Sequence, residues 1–383
     1  MNISKRAENT APSETLAISA KCKELKKQGL DVVNLSVGEP DFDTPQHIKD
    51  AAISAINRGF TKYTDASGIL ELKEAIVKKL WEDNGLKYEP QQIVVSSGAK
   101  HSIYNSLLTL CNDGDEVLIP TPYWVSYCEM VKLAGGTPAV LQTDEDTLKL
   151  TPQDLEEAIS EKTKGIILNS PQNPAGIVYS EDELLGLAVV IKEKGLWVIS
   201  DEVYERFVYN GNKHISIATL IPDQTIVING TSKTYSMTGW RIGYTAADLK
   251  VIKAIGRIQS QTTSNPCSIS QYAALSAITG PQECVEEMRL KFDTRRSFMV
   301  DRLNNIPGIT CQMPEGAFYL FCNIKALSLG SEEFSNLLLE KAQVAVVPGK
   351  AFGAEGFIRL SYAASLYDLE KAGDRIEEAV KSL

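Results

Sequence analysis

At 383 residues, 43% hydrophobic and 23% charged, the chain is long enough for one large core and a second, smaller one. A formal net charge of −10 argues against nucleic acid and anionic membrane surfaces as partners, while a small anionic substrate can still enter a locally positive pocket. Seven scattered cysteines without a C-x-x-C pair, three histidines without metal-site spacing, no signal-peptide core and no run of about 18 apolar residues read as a cytoplasmic protein with reduced thiols and no metal.

Residues 1–30 read as an arm leading into a helix. Pro12-Ser13-Glu14-Thr15 starts it, residues 16–27 carry it, and Gly29 stops it. Residues 32–37 are strand-like and run into Gly38-Glu39-Pro40-Asp41-Phe42, a sharp turn that exposes backbone N–H groups. Helices are expected over 46–58 and 69–82, and Tyr63 between them is by default a half-buried aromatic.

An α/β rhythm follows. Strand-like runs at 93–96, 116–119, 138–142, 165–169, 196–200, 225–229 and 242–246 are mostly separated by helical stretches such as 99–111, 123–134, 152–160 and 181–194. That alternation implies a mainly parallel sheet wrapped by helices. From about 283 the pattern changes to long charged helices (283–304, 331–341, 367–382) with short strands between them, at 317–322, 344–347 and 357–361. The expected division is a large α/β domain over 44–282 and a small α+β domain built from 1–43 and 283–383. Neither G-x-G-x-x-G nor G-x-x-x-x-G-K-[ST] is present, which weakens nicotinamide and nucleoside-triphosphate readings.

Several residues stand where chemistry is possible. Most lysines stay solvated, yet Lys233 follows a buried-strand run among the small residues Gly230, Thr231 and Ser232. Such a lysine can lose water, drop its pKa and serve as an amine nucleophile toward an aldehyde. Arg241, eight residues on, supplies a planar cation suited to a phosphate ester. Ser97-Gly98-Ala99-Lys100 ends a strand and opens a helix, so its free N–H groups can hold an anion, although a generic strand–helix turn looks much the same. The two prolines and the glycine of Asn169-Ser170-Pro171-Gln172-Asn173-Pro174-Ala175-Gly176 suit holding the Asn173 amide in one orientation. Asp201 ends an apolar strand, where α/β sheets place ligand-binding groups, and Tyr204 follows it. Trp124 is by default core. Arg359 lies inside an apolar strand, where a buried charge wants a carboxylate partner.

The string G-T-S-K-x-x-S-M-x-G-x-R-x-G around Lys233 resembles the pyridoxal-phosphate attachment segment of class I aminotransferases. S-V-G-E-P-D-F and N-x-x-N-P-x-G resemble two further signatures of that family, and the likeness runs from 13 to 359. It implies the fold-type I α/β architecture, with a mainly parallel seven-stranded sheet plus a smaller α+β domain, and pyridoxal 5'-phosphate as cofactor. It implies that Lys233 carries the cofactor and moves the proton, while Gly98, Ala99, Lys100 and Arg241 hold the phosphate. Tyr63 would reach that phosphate in the neighbouring subunit of a homodimer with shared active sites. Asp201 would serve the ring nitrogen, Tyr204 and Asn173 the ring oxygen, and Trp124 the ring face. Arg359, Asn173 and Gly38 would meet the substrate carboxylate, with Trp124 packed beside it. Gly230 departs from the pattern, since many relatives carry a phosphate-contacting serine there.

Within the family the chain is most similar to bacterial aspartate aminotransferases in which a lysine and hydroxyls of the arm read the acidic side chain. Lys100, Ser13 and Thr15 occupy those positions. The implied substrates are amino acids and 2-oxo acids, best L-aspartate with 2-oxoglutarate. Prephenate, aromatic or aliphatic substrates stay open, as does a same-fold lyase such as a C–S lyase or a cyclopropane-forming synthase. A regulator of this fold carries a DNA-binding domain ahead of it, whereas this chain starts directly in the arm.

Overall fold

The computed structural model describes residues 1–383. After a short helix, Lys5–Glu8, the arm helix spans Glu14–Lys27, and the chain turns at Gly29 with positive φ. Of the expected strand over 32–37, only Val33–Asn34 (β1) is β-structure. The reason is local: the N–H and hydroxyl of Ser36 both donate to Asn34 Oδ1, at 3.0 and 2.7 Å. Such a side-chain bond competes with a strand ladder. Helices Gln46–Asn57 and Leu70–Asn84 follow close to expectation.

Seven strands then build one sheet: β2 (Ile93–Ser96), β3 (Glu116–Pro120), β4 (Thr137–Leu141), β5 (Thr163–Asn169), β6 (Trp197–Asp201), β7 (Thr225–Gly230) and β8 (Gly243–Ala246). Their order is β2-β8-β7-β6-β5-β3-β4, and only β8 runs antiparallel to its neighbours. Val94, Val117, Ile119, Val198, Ile199 and Val227 are all fully buried. Helices cover both faces, so the central strands are mostly buried on both sides and do not alternate, while the edge strand β4 is partly exposed. In register, Asn169 of β5 lies beside Asp201 of β6, and Asp201 beside Ile228 of β7. The carboxyl ends of three adjacent strands therefore open on one crevice, the usual ligand position of such sheets.

Two helices, Leu249–Thr262 and Ser268–Thr279, fill a stretch for which no element was expected. The helix expected over 123–134 begins only at Tyr127. The preceding prolines keep the backbone extended, and the Tyr123 N–H donates to the Phe352 carbonyl at 3.1 Å, so this segment is tied to the C-terminal part. The helix expected over 331–341 is α-helical to Leu337 and closes in a π turn, Leu338–Ala342.

Beyond helix Glu283–Asn304, strands β9 (Thr310–Cys311), β10 (Tyr319–Asn323), β11 (Val344–Ala345), β12 (Val347–Pro348) and β13 (Phe357–Ser361) follow. A four-stranded antiparallel sheet has the order β12-β13-β10-β9, while β11 pairs with β1 in parallel. The expected strand over 344–347 is thus split, because Val346 carries the chain from one ladder to the other. Phe292, fully buried, meets Phe42, Phe207 and Phe318 at ring separations of 5.2–5.3 Å and ties these parts together. Three residues on, Arg295 forks onto Asp41 at 2.7 and 2.9 Å. That bidentate pair fixes the Gly38–Phe42 turn against the helix. No helix is long and apolar enough to cross a membrane.

Candidate active site

The loop after β7 folds back through three backbone bonds: Tyr235 to Thr231, Ser236 to Lys233 and Met237 to Ser232. It holds Lys233 on the wall of a cavity of about 500 Å³. The same cavity is lined by Thr15, Gly38, Ala99, Lys100, Trp124, Asn173, Asp201, Tyr204, Arg241 and Arg359. Most of the residues singled out in the sequence therefore meet in one place. Gly98 lies just behind the wall. With φ +93°, it is pressed by Arg241, and a Cβ there would come within 2.4 Å of the Arg241 Nη2. Only glycine lets the guanidinium approach the N-terminus of helix Ala99–Leu110, where the first N–H groups have no helical partner. Backbone donors and a cation thus form one anion cradle.

Ser13 is not on the wall and instead pairs with the Thr15 hydroxyl at 3.1 Å. Tyr63 is 89% exposed and lies outside the cavity of its own chain.

Charge on the wall is one-sided. Four cations (Lys100, Lys233, Arg241, Arg359) face a single acid, Asp201. Lys233 Nζ donates to the Gly38 carbonyl at 2.5 Å, and Arg241 donates to the carbonyls of Thr238 and Ser97. Arg359, 2% exposed, donates to Asn173 Oδ1 at 2.9 Å and to the Ser36 carbonyl at 2.6 Å. Its Nε is buried without a partner. All the acceptors are neutral, so none of these three cations is hydrogen-bonded to a carboxylate. The Lys100 ammonium lies 4.8 Å from the Trp124 ring centroid. Burial, then the charge of Arg241, lowers its pKa.

Burial pushes the Lys233 amine down to about 8, with Glu39 opposing and the two arginines assisting. The same burial raises the Asp201 carboxyl to about 6, against the hydroxyl donated by Tyr127. An amine that gives up its proton easily and a carboxylate short of a counter-charge share the cavity. Both suit pyridoxal phosphate, which brings an aldehyde to the amine, a ring N–H to the carboxylate and a phosphate to the anion cradle.

Two contributors were missed in the sequence. Tyr127 donates to Asp201 Oδ2 at 2.6 Å. Tyr319 lies beneath Arg359, whose guanidinium is 4.5 Å from its ring centroid, and its hydroxyl meets that of Tyr204 at 2.8 Å. Nothing in the sequence separates either from an ordinary core aromatic.

A family model described as aminotransferase class I and II matches residues 30–376. The chain is 51% identical over 391 residues to an aspartate aminotransferase of Geobacillus stearothermophilus, covering 100% of both chains. It is 45% identical to an aspartate/prephenate aminotransferase of Nitrosomonas europaea, covering 98% of this chain and 99% of the relative. The structure of an aspartate aminotransferase from Thermus thermophilus with maleate superposes with a TM-score of 0.96 at 40% identity, over 99% of this chain and 100% of that one.

The pH behaviour of the lysine is open to test without cofactor. An acylating reagent attacks only the neutral amine, whose fraction grows as pH rises. In the cofactor-free chain, labelling of Lys233, followed by peptide mass, should rise through a midpoint near pH 8 and level off above it. A midpoint at the ordinary lysine value of 10.5 would show that burial does not tune this amine.

Proposed function

The chain belongs to the class I and II aminotransferases, pyridoxal-phosphate-dependent enzymes, and from that premise we propose that it exchanges the amino group between L-aspartate and 2-oxoglutarate. The observation that carries the proposal is the surplus of cations around Lys233. A phosphate needs one group of them, the α-carboxylate of any amino acid needs Arg359, and Lys100 remains for a second carboxylate. The relative with maleate, a dicarboxylate, supports the same choice.

Bound pyridoxal phosphate supplies an aldehyde to carry the amino group and a protonated ring to accept the electron pair released at the substrate's α-carbon. We assign its phosphate to the N–H groups of Gly98, Ala99 and Lys100 with Arg241, its ring nitrogen to Asp201, its ring oxygen to Tyr204 and Asn173, and its ring face to Trp124. Asp201, held by Tyr127, favours a proton on the ring nitrogen through its charge. Arg359 and Asn173, already bonded to each other, bind and orient the α-carboxylate beside Gly38. Lys233, with its lowered pKa, takes the proton from the α-carbon as a neutral amine and, as an ammonium, would deliver it to the cofactor carbon that was the aldehyde.

We further propose the division into a large domain, 44–282, and a small one from 1–43 and 283–383. The pairing of β1 with β11 and the change from a mainly parallel to an antiparallel sheet support it. A cytoplasmic location is proposed on the seven free cysteines. A homodimer with shared sites is supported by the exposed apolar side chains of Tyr63, Leu16, Ile53, Ile56 and Leu70. Tyr63 is in this view offered to the partner's phosphate.

Two experiments test these assignments. Lys100→Ala should cost about 2–3 kcal/mol of transition-state stabilisation for aspartate, roughly 30–150-fold in kcat/KM, and leave alanine and aromatic donors nearly unchanged. An equal fall for dicarboxylic and neutral donors would give Lys100 to the phosphate and remove the case for aspartate. Mixing the inactive Tyr63→Ala and Lys233→Ala chains should recover about a quarter of wild-type activity at random exchange, because each hybrid has one intact site. No recovery after verified subunit exchange would show that each site is built from one chain.

A further inference from the structure

Tyr204 and Tyr319 are both buried, and their hydroxyl oxygens lie 2.8 Å apart. Each oxygen carries one hydrogen, and neither hydroxyl has another hydrogen-bond partner within the chain. Only one hydrogen can lie between the two oxygens, so the other is left to point elsewhere. The position of Tyr319 is set twice over. The β10–β13 register places Phe321 opposite Arg359, so Tyr319, two residues back on the same face, lies diagonally beneath the guanidinium. On the other side a Cβ on Gly38 would come within 2.6 Å of the Tyr319 hydroxyl, so glycine there leaves that oxygen its place.

We infer that Tyr319 is a positioning residue: it donates its hydroxyl hydrogen to the Tyr204 oxygen and thereby turns the Tyr204 hydrogen toward the cofactor's ring oxygen. The inference rests on the assignment of Tyr204 proposed above. The cation stacked on the Tyr319 ring favours this direction, since it makes that hydroxyl the stronger acid of the pair and hence the donor. Burial raises the pKa of both tyrosines, Tyr204 the more, so both stay neutral and each has its hydrogen to give. The result is a chain of two donors ending at the cofactor, each polarising the next.

The test is the pH midpoint of the visible absorbance change of the substrate-free holoenzyme. A donor to an oxygen that bears negative charge after proton loss lowers that midpoint, so weakening the donor raises it. Tyr319→Phe keeps the ring under Arg359 and removes only the hydroxyl. Lys233, Asp201, Arg241, Arg359, Glu39 and Lys100, the charged groups facing the site from the neighbouring strands, loops and helix, are untouched. The midpoint should rise by about 0.4–1 unit in Tyr319→Phe. It should rise further in Tyr204→Phe, and the double variant should match Tyr204→Phe alone, because Tyr319 acts only through Tyr204. An unmoved midpoint in Tyr319→Phe beside a raised one in Tyr204→Phe overturns the inference and leaves the Tyr204 assignment standing. Additive shifts in the double variant overturn it too, since Tyr319 would then act independently. A midpoint unmoved in both single variants removes the Tyr204 assignment and the inference together.

Discussion

A buried arginine without a carboxylate partner is the constraint on which this active site turns. Arg359 is held only by neutral oxygens, and one of its nitrogens has no partner. Removing a charge from water without a counter-ion costs several kcal/mol, so the surrounding structure must hold it in place at the expense of stability. Lys233, Arg241 and Lys100 add further positive charge around the cavity, the last two on exposed residues. A chain with a net charge of −10 has thus gathered unneutralised positive charge in one crevice. An anion bound in the crevice would supply the missing counter-charge and return part of the desolvation cost.

The architecture explains how these charges can be kept so close. Parallel strands β5, β6 and β7 end together and bring the Asn173 loop, Asp201 and the Lys233 loop to one edge. The antiparallel sheet contributes Arg359 from β13 and Tyr319 from β10. Between the two sheets, the turn after β1 passes Gly38 to Lys233 and the Ser36 carbonyl to Arg359. Its register is set by the Arg295–Asp41 fork and by the Phe292 aromatic cluster. The geometry of the cavity therefore depends on contacts between segments more than three hundred residues apart, such as Ser36 and Arg359.

Much of this was legible in the sequence because the signals were local. The apolar strand runs stand out by composition, the helix from 181 to 194 lies between two of them and is opened by a Ser180 capping box, and the helix from 283 to 304 shows as a long charged stretch. Lys233, Asp201 and Arg359 stood out because a charge at the end or middle of an apolar strand is expensive. What stayed hidden depends on distant partners. Tyr127 and Tyr319 look like core aromatics until the fold places Asp201 and Tyr204 against their hydroxyls. Residues 344–347 look like one strand, yet two different ladders compete for them and each takes half. Residues 32–37 look apolar enough for a strand, but Asn34 captures the backbone and hydroxyl of Ser36 instead.

The central claim is that the cation-lined cavity delivers the cofactor to one particular amine. Borohydride reduction of the holoenzyme, followed by peptide mapping, measures this directly, because reduction makes a carbon–nitrogen link between aldehyde cofactor and lysine permanent. The account predicts one pyridoxyl group per chain, on the peptide carrying Lys233. A stable adduct on a different lysine, or none in holoenzyme of full activity, would contradict it.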